Sequence, residues 1–152
     1  MTQASFPAKP SNNTDLKRFA MSNSIMIVDD SPEILSIYSI FFERQGYTVH
    51  KAMESADALE MLQELDPDLF ILDVMMPEIN GIELCQRIRD LPQHEHTPVI
   101  ILSAFSDTGI IEQTFAAGAN DYVIKPIDPQ ELETRIREFL RIAEEDSPIL
   151  RR

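Results

Sequence analysis

Five short apolar runs alternate with five amphipathic stretches over about 120 residues, which predicts a doubly wound parallel α/β sheet with helices on both faces. Two further features support it. Runs such as Ser24-Ile25-Met26-Ile27-Val28 and Leu69-Phe70-Ile71-Leu72 are continuously apolar, as strands buried on both faces are. Several runs also stop on a polar residue: Asp29-Asp30, Asp73, Ser103 and Lys125.

The elements follow in order. Residues 1–23 are rich in Ser, Asn, Pro and Lys without apolar periodicity, and are expected to be a flexible leader or linker. Strand one is Ser24 to Val28. Ser31 suits a helix N-cap, Pro32 the first helical position and Glu33 the positive end of the helix dipole. Ile34, Ile37, Tyr38 and Phe41 recur at helical spacing, and Gly46 ends helix one. Strand two is expected over Tyr47 to His50. Helix two carries Ala58, Leu59, Leu62 and Leu65 and is closed by Asp66-Pro67.

Strand three, Leu69 to Leu72, leads into Asp73 and a loop with Pro77 and Gly81. Helix three shows Leu84, Cys85, Ile88 and Leu91. Strand four, Val99 to Leu102, ends on Ser103, and helix four carries Ile110, Ile111, Thr114 and Phe115 as far as Gly118. Strand five, Tyr122 to Ile124, meets Lys125-Pro126. Helix five begins near Asp128-Pro129 and buries Leu132, Ile136, Phe139 and Leu140. The domain is thus expected over residues 24–143, with 144–152 as a tail or the start of a linker. The expected strand order is 2-1-3-4-5, flavodoxin-like.

Composition narrows the function. The chain has 152 residues and a formal charge of −13. Residues 1–23 carry Lys9, Lys17 and Arg18 against Asp15, which leaves −15 on the rest. So acidic a body repels nucleic-acid phosphates, and direct nucleic-acid binding is not expected. No apolar run approaches the roughly 20 residues that cross a bilayer. The one cysteine, Cys85, sits at an apolar helical position and reads as a small core residue. A reducing, cytoplasmic setting follows.

In open α/β sheets ligands bind beyond the carboxyl ends of the strands, where strand order reverses. Asp29, Asp30 and Asp73 should converge there. Three carboxylates in one crevice need a proton or a cation to offset their repulsion, and an oxygen-rich site with room for water suits Mg²⁺. Lys125 brings positive charge from the other side, and Ser103 offers a hydroxyl. A carboxylate between Mg²⁺ and an ammonium is arranged for phosphoryl transfer. Singly, each residue has a plainer reading: Asp29 or Asp30 as a helix cap, Asp73 as a turn residue, Ser103 as an ordinary strand serine, Lys125 as a surface lysine. Their placement at successive strand ends favours the joint reading.

The stretches Ile27-Val28-Asp29-Asp30-Ser31-Pro32, Leu72-Asp73-Val74-Met75-Met76-Pro77, Gly81, Ile101-Leu102-Ser103-Ala104 and Gly118-Ala119-Asn120-Asp121-Tyr122-Val123-Ile124-Lys125-Pro126 together resemble the receiver domain of two-component response regulators. The resemblance covers residues 24 to about 143. It implies that Asp73 is the phosphoacceptor. Asp30, Asp73 and the Met75 backbone carbonyl would ligate Mg²⁺, and Asp29 would act largely through water. Lys125 would contact the phosphoryl group, beside a cis Lys125-Pro126 bond. Ser103 stands where Thr is frequent in the family. Tyr122 would turn inward when Ser103 moves toward the phosphoryl group, changing the face formed by helix four, strand five and helix five.

The implied phosphodonor is a sensor histidine kinase or a phosphotransfer protein. The implied recipient of the signal is a downstream effector protein or output domain, and the switching face could support a phosphorylation-dependent homodimer. The chain would catalyse only its own phosphorylation and dephosphorylation. No recognition helix, zinc motif or catalytic signature follows helix five, so a stand-alone receiver and part of a larger regulator both fit.

Three alternatives remain in view. A haloacid-dehalogenase-like phosphohydrolase would want an acid two residues after the nucleophile, where this chain has Met75. A flavodoxin-like cofactor binder would need a phosphate-cradling first loop, and Asp29-Asp30-Ser31-Pro32-Glu33 is acidic. A receiver fold used for phosphorylation-independent docking is the third. His94 and His96 flank Glu95, a grouping that suggests a metal, but they are expected in an exposed loop without a role.

Overall fold

The structure is a computed structural model, and it describes residues 23–145. The expected leader and tail fall outside these residues, apart from Asn23, Glu144 and Glu145. The strands are β1 (Ser24–Val28), β2 (Thr48–Ala52), β3 (Leu69–Leu72), β4 (Val99–Ser103) and β5 (Asp121–Ile124). The helices are α1 (Pro32–Arg44), α2 (Ser55–Met61), α3 (Gly81–Arg89), α4 (Thr108–Ala116) and α5 (Pro129–Glu145). All strand pairings are parallel and the order is β2-β1-β3-β4-β5, as the alternation predicts. Among the described residues no helix is long and apolar enough to cross a membrane.

Period-two alternation within the strands sorts the core into two layers. Met26, Val28, Phe70, Leu72, Val99 and Ile101 point to one face, where Ala58, Leu62, Leu84, Cys85 and Ile88 of the α2 and α3 segments cover them. Ile25, Ile27, Leu69, Ile71, Ile100 and Leu102 point to the other, under Leu35, Tyr38 and Phe42 of α1 and Leu132, Ile136 and Leu140 of α5. Each fully buried Leu, Ile or Phe contributes about 1.5–3 kcal/mol. Cys85 lies in the first layer, as its apolar position suggests.

Local capping follows the sequence. Ser31 Oγ accepts from Ile34 N and caps α1, with Pro32 in the first turn. Asn80 and Asp107 cap α3 and α4 through their side chains. Gly46 and Gly118, just past α1 and α4, take left-handed φ values of 103° and 110°, which favour glycine.

Several sequence expectations shift, among them the reach of α2 and α3, which end at Met61 and Arg89 before Leu62, Leu65 and Leu91. The buried face of α1 is Leu35, Tyr38, Ser39 and Phe42; of the expected stripe Tyr38 is buried, Ile34 and Phe41 pack at the margin, and Ile37 is 55% exposed. Either stripe satisfies helical spacing, and the contact with Ile25, Ile27 and Ile71 selects the one that brings in the Phe42 ring. In α4 the buried residue is Thr114 and Phe115 is exposed, while Phe139 in α5 is half-buried. Strand β2 starts at Thr48 and runs to Ala52, because Thr48 rather than Tyr47 pairs with Ser24.

Arg89, at the end of α3, fastens the amino-terminal edge of the sheet. Its Nε and Nη2 donate to Gly118 O at 3.0 and 2.7 Å, and Nη2 also reaches Asn120 Oδ1 at 2.8 Å. Its Nη1 donates to His94 O at 2.9 Å and Thr97 O at 2.6 Å. One guanidinium thereby joins α3, the turn before β4 and the α4–β5 connection. Arg89→Ala is expected to lower stability by about 2–4 kcal/mol, since it strips donors from three backbone carbonyls, and urea unfolding measures it.

Candidate functional site

Register brings the acids together. Val28 of β1 pairs with Leu72 of β3, so the next residues, Asp29 and Asp73, leave neighbouring strands at the same level. The ladder continues one step, with Asp73 N donating to Val28 O at 2.9 Å and Asp29 N to Ala52 O at 3.1 Å. On the other side Ser103 pairs with Ile124, and Lys125 N donates to Ser103 O at 2.8 Å. Four chain segments therefore end at the carboxyl edge of the sheet, beside the point where strand order reverses.

Asp29 is 2% and Asp73 6% exposed, whereas Asp30 faces solvent. One carboxylate oxygen from each of the three lies within 4.8 Å of the others. Lys125 Nζ donates to Asp29 Oδ2 at 2.9 Å and stands 3.5 Å from Asp73 Oδ1. The closer carboxylate is therefore that of Asp29, whose Oδ1 also accepts from Ser31 N at 2.9 Å. The Lys125–Pro126 bond is cis.

The electrostatics follow from this packing. Burial first, then the Asp29 charge, pushes the Asp73 carboxyl up to about 6, with Asp30 adding to the rise and Lys125 and the Met75 backbone N–H opposing it. Burial disfavours the Lys125 ammonium, but the hydrogen bond and charge of Asp29, with Asp73 behind them, outweigh this and push its pKa up. The crevice thus holds more negative charge than its lysine neutralises. Three converging oxygen donors, one of them open to solvent, fit a hard divalent cation that keeps several waters.

Gly81 makes the loop after Asp73 possible. Its N–H donates to Val74 O at 2.9 Å, and a Cβ there would fall 2.0 Å from the Asp73 carbonyl oxygen. Met75, two residues after Asp73, is 59% exposed beside the crevice.

Ser103 and Tyr122 are linked to each other through a third residue. Ser103 is fully buried, and its Oγ accepts from Phe105 N at 3.2 Å. The Tyr122 hydroxyl donates to Phe105 O at 2.8 Å. Both side chains therefore hold the Phe105 backbone in the β4–α4 loop. Sequence reading overlooked Phe105, and no side-chain signal could reveal it, because its part is played by backbone groups.

His94 corrects an expectation. It is 1% exposed rather than in an open loop, its ring set edge-on to Phe70 at 5.0 Å and its Nδ1 2.8 Å from Thr97 Oγ1. Burial holds its pKa below the usual histidine value. The cause is the short 3-10 turn Pro92–His94, which folds the imidazole under the sheet instead of out to solvent. His96, two residues on, is exposed as expected.

Comparison with known proteins gives a consistent result. Residues 25–137 match the response regulator receiver domain family model. The transcriptional regulatory protein SrrA of Staphylococcus aureus is 35% identical over 121 residues, 80% of this chain and 49% of that protein. The chain thus spans about half the length of the curated relatives it matches. Among solved structures, the chemotaxis protein CheY4 of Vibrio cholerae is 28% identical with a TM-score of 0.75, covering 78% of this chain and 98% of its own. A CheY-like response regulator receiver domain protein from Methanospirillum hungatei is 26% identical with a TM-score of 0.79, covering 83% and 99%. These matches do not favour a phosphohydrolase or a cofactor binder. With this sheet order and this acidic crevice, the chain belongs to the response regulator receiver domain family.

Proposed function

We propose that this receiver domain accepts a phosphoryl group on Asp73, from a phosphohistidine on a partner kinase or phosphotransfer protein, in a Mg²⁺-dependent reaction. The observation that carries the proposal is the Asp73 carboxylate, buried between an acidic pair and the Lys125 ammonium at 3.5 Å. Asp29, Asp30, Asp73 and the Met75 backbone carbonyl would hold Mg²⁺, which when bound supplies positive charge against the phosphoryl oxygens. An Asp73 oxygen forms the bond to phosphorus as the phosphorus–nitrogen bond of the donor breaks, and the donor imidazole leaves with a proton. Lys125 exchanges Asp29 for the new phosphoryl oxygens, and Ser103 turns its hydroxyl toward them.

The switch reading draws on the shared hold on Phe105. A Ser103 hydroxyl that turns to the phosphoryl group lets go of Phe105 N, and Tyr122 follows the loop it is bonded to. The face that changes carries exposed Phe115 of α4 and Ile124 of β5, at 45% and 46% exposure. Exposed apolar side chains there suit docking of a downstream effector or output domain, or of a second copy when phosphorylated.

The direct test adds Mg²⁺ and a small phosphodonor or beryllofluoride, following mass and backbone amide shifts. Wild type gains one phosphoryl mass with acetyl phosphate and shows shifts spreading from Asp73 to Phe105, Phe115 and Tyr122. Asp73→Asn does neither. Labelling that persisted in Asp73→Asn would move the acceptor elsewhere.

Burial of Asp73, with repulsion from Asp29, also predicts a stability effect. The Asp73 pKa of the folded protein, about 6, lies above its ordinary value of 3.8, so ionisation favours the unfolded chain. The penalty is absent below pH 3.8, grows between pH 3.8 and 6, and is complete above. Without divalent cations, Asp73→Asn is therefore expected to gain on the order of 2 kcal/mol at pH 7.5 and nothing near pH 3.5, as read by urea unfolding across pH.

Met75 offers no acid, base or amide to orient an attacking water. Its phosphoaspartate is expected to last longer than in receivers with an amide at that position. Met75→Asn should hydrolyse several-fold faster in a radiolabel-decay assay, and an unchanged rate counts against a role for this side chain.

A further inference from the structure

At the amino-terminal ends of β3 and β4, across the sheet from Asp73, a groove of about 930 Å³ opens between the α2–β3 loop, the turn before β4 and the end of α5. Asp66, Asp68, His94, Glu95 and His96 are among its lining residues. His94 is the unusual one. Thr97 Oγ1 fixes its Nδ1 at 2.8 Å, while the buried Nε2 has no hydrogen-bond partner. Asp66 Oδ1 stands 3.5 Å from that nitrogen, beyond the roughly 3.2 Å limit of a good N–H···O bond.

Two ligands each about 2.0–2.1 Å from one tetrahedral ion stand ~3.4 Å apart. The gap between His94 Nε2 and Asp66 Oδ1 therefore suits a shared ion better than a hydrogen bond. An imidazole whose second nitrogen is fixed by a neighbouring oxygen is also the usual arrangement of a metal-ligating histidine. The Asp66 side chain is 73% exposed, so its rotation opens the approach to Nε2.

We propose that His94 Nε2 and Asp66 form a second cation site, for a borderline divalent transition metal of the Zn²⁺ class. Water completes the coordination around these two side chains. Mixed nitrogen and oxygen donors favour such ions over Mg²⁺, which prefers oxygen alone. The two edges of the sheet thus present donor sets of different hardness. A cation here joins the α2–β3 loop to the turn before β4 and stabilises the folded chain by mass action.

The test titrates Zn²⁺ into the whole chain in excess Mg²⁺, which protects the Asp73 crevice, and follows histidine ring ¹⁵N shifts and the melting temperature. The His94 Nε2 resonance is expected to move while His50 serves as an internal reference, and the melting temperature should rise with Zn²⁺. Asp66→Asn, at an exposed position that does not threaten folding, should weaken binding at least tenfold. His94→Gln should do the same. Thr97→Val, which leaves both ligands in place, should cost about tenfold through loss of ring orientation. Unmoved His94 resonances, or undiminished Zn²⁺ affinity in Asp66→Asn, overturn the proposal.

Discussion

Repulsion among Asp29, Asp30 and Asp73 is the constraint on which the rest of the structure turns. Parallel pairing of β1 with β3 carries two of the acids into one buried crevice, and the β1 end adds the third. Lys125, brought in by β5, answers part of that charge, and its shorter contact goes to Asp29. Burial, together with the charge that remains, raises the Asp73 pKa, and the pocket is left favouring added positive charge. The structure thus stores unfavourable electrostatics at the carboxyl edge of a sheet whose two apolar layers supply the stability to hold them there.

The acid and lysine positions could be read from the chain because β-strands convert sequence order into spatial order. A continuous apolar run followed by Asp or Lys identifies a buried strand and its exit, and parallel topology sends every exit to the same edge. Ser103 was legible in the same way. Its engagement with Phe105 was not, since a backbone amide carries no residue signature. On α1 Tyr38 was read correctly, but Leu35 and Phe42 were missed because Ile34, Ile37 and Phe41 satisfy helical spacing as well as they do, and only packing on the sheet separates them. His94 was misplaced for a different reason: a three-residue turn too short for periodicity decides whether its ring points in or out.

The two edges of the sheet behave differently. The carboxyl edge gathers side chains with shared partners: Lys125 lies between two carboxylates, and Phe105 is held by two hydroxyl-bearing residues. At the amino edge backbone groups are fixed by multiple bonds, chiefly from Arg89 and from Asn120, whose Oδ1 also accepts from Val99 N. Change at the first edge is therefore met by resistance at the second, and the layers between them transmit strain because they are closely packed.

The bonds from Arg89 to Gly118 also limit how α4 can travel. Gly118 follows the carboxyl end of that helix, and a Cβ there would fall 2.9 Å from the Arg89 side chain, so the absence of a side chain is what admits the guanidinium that clamps this end. The opposite end hangs from the Phe105 loop. If the loop is displaced as proposed, a helix held in this manner would swing as a lever about a fulcrum near Gly118, with the displacement greatest at Thr108 and dying away toward Ala116.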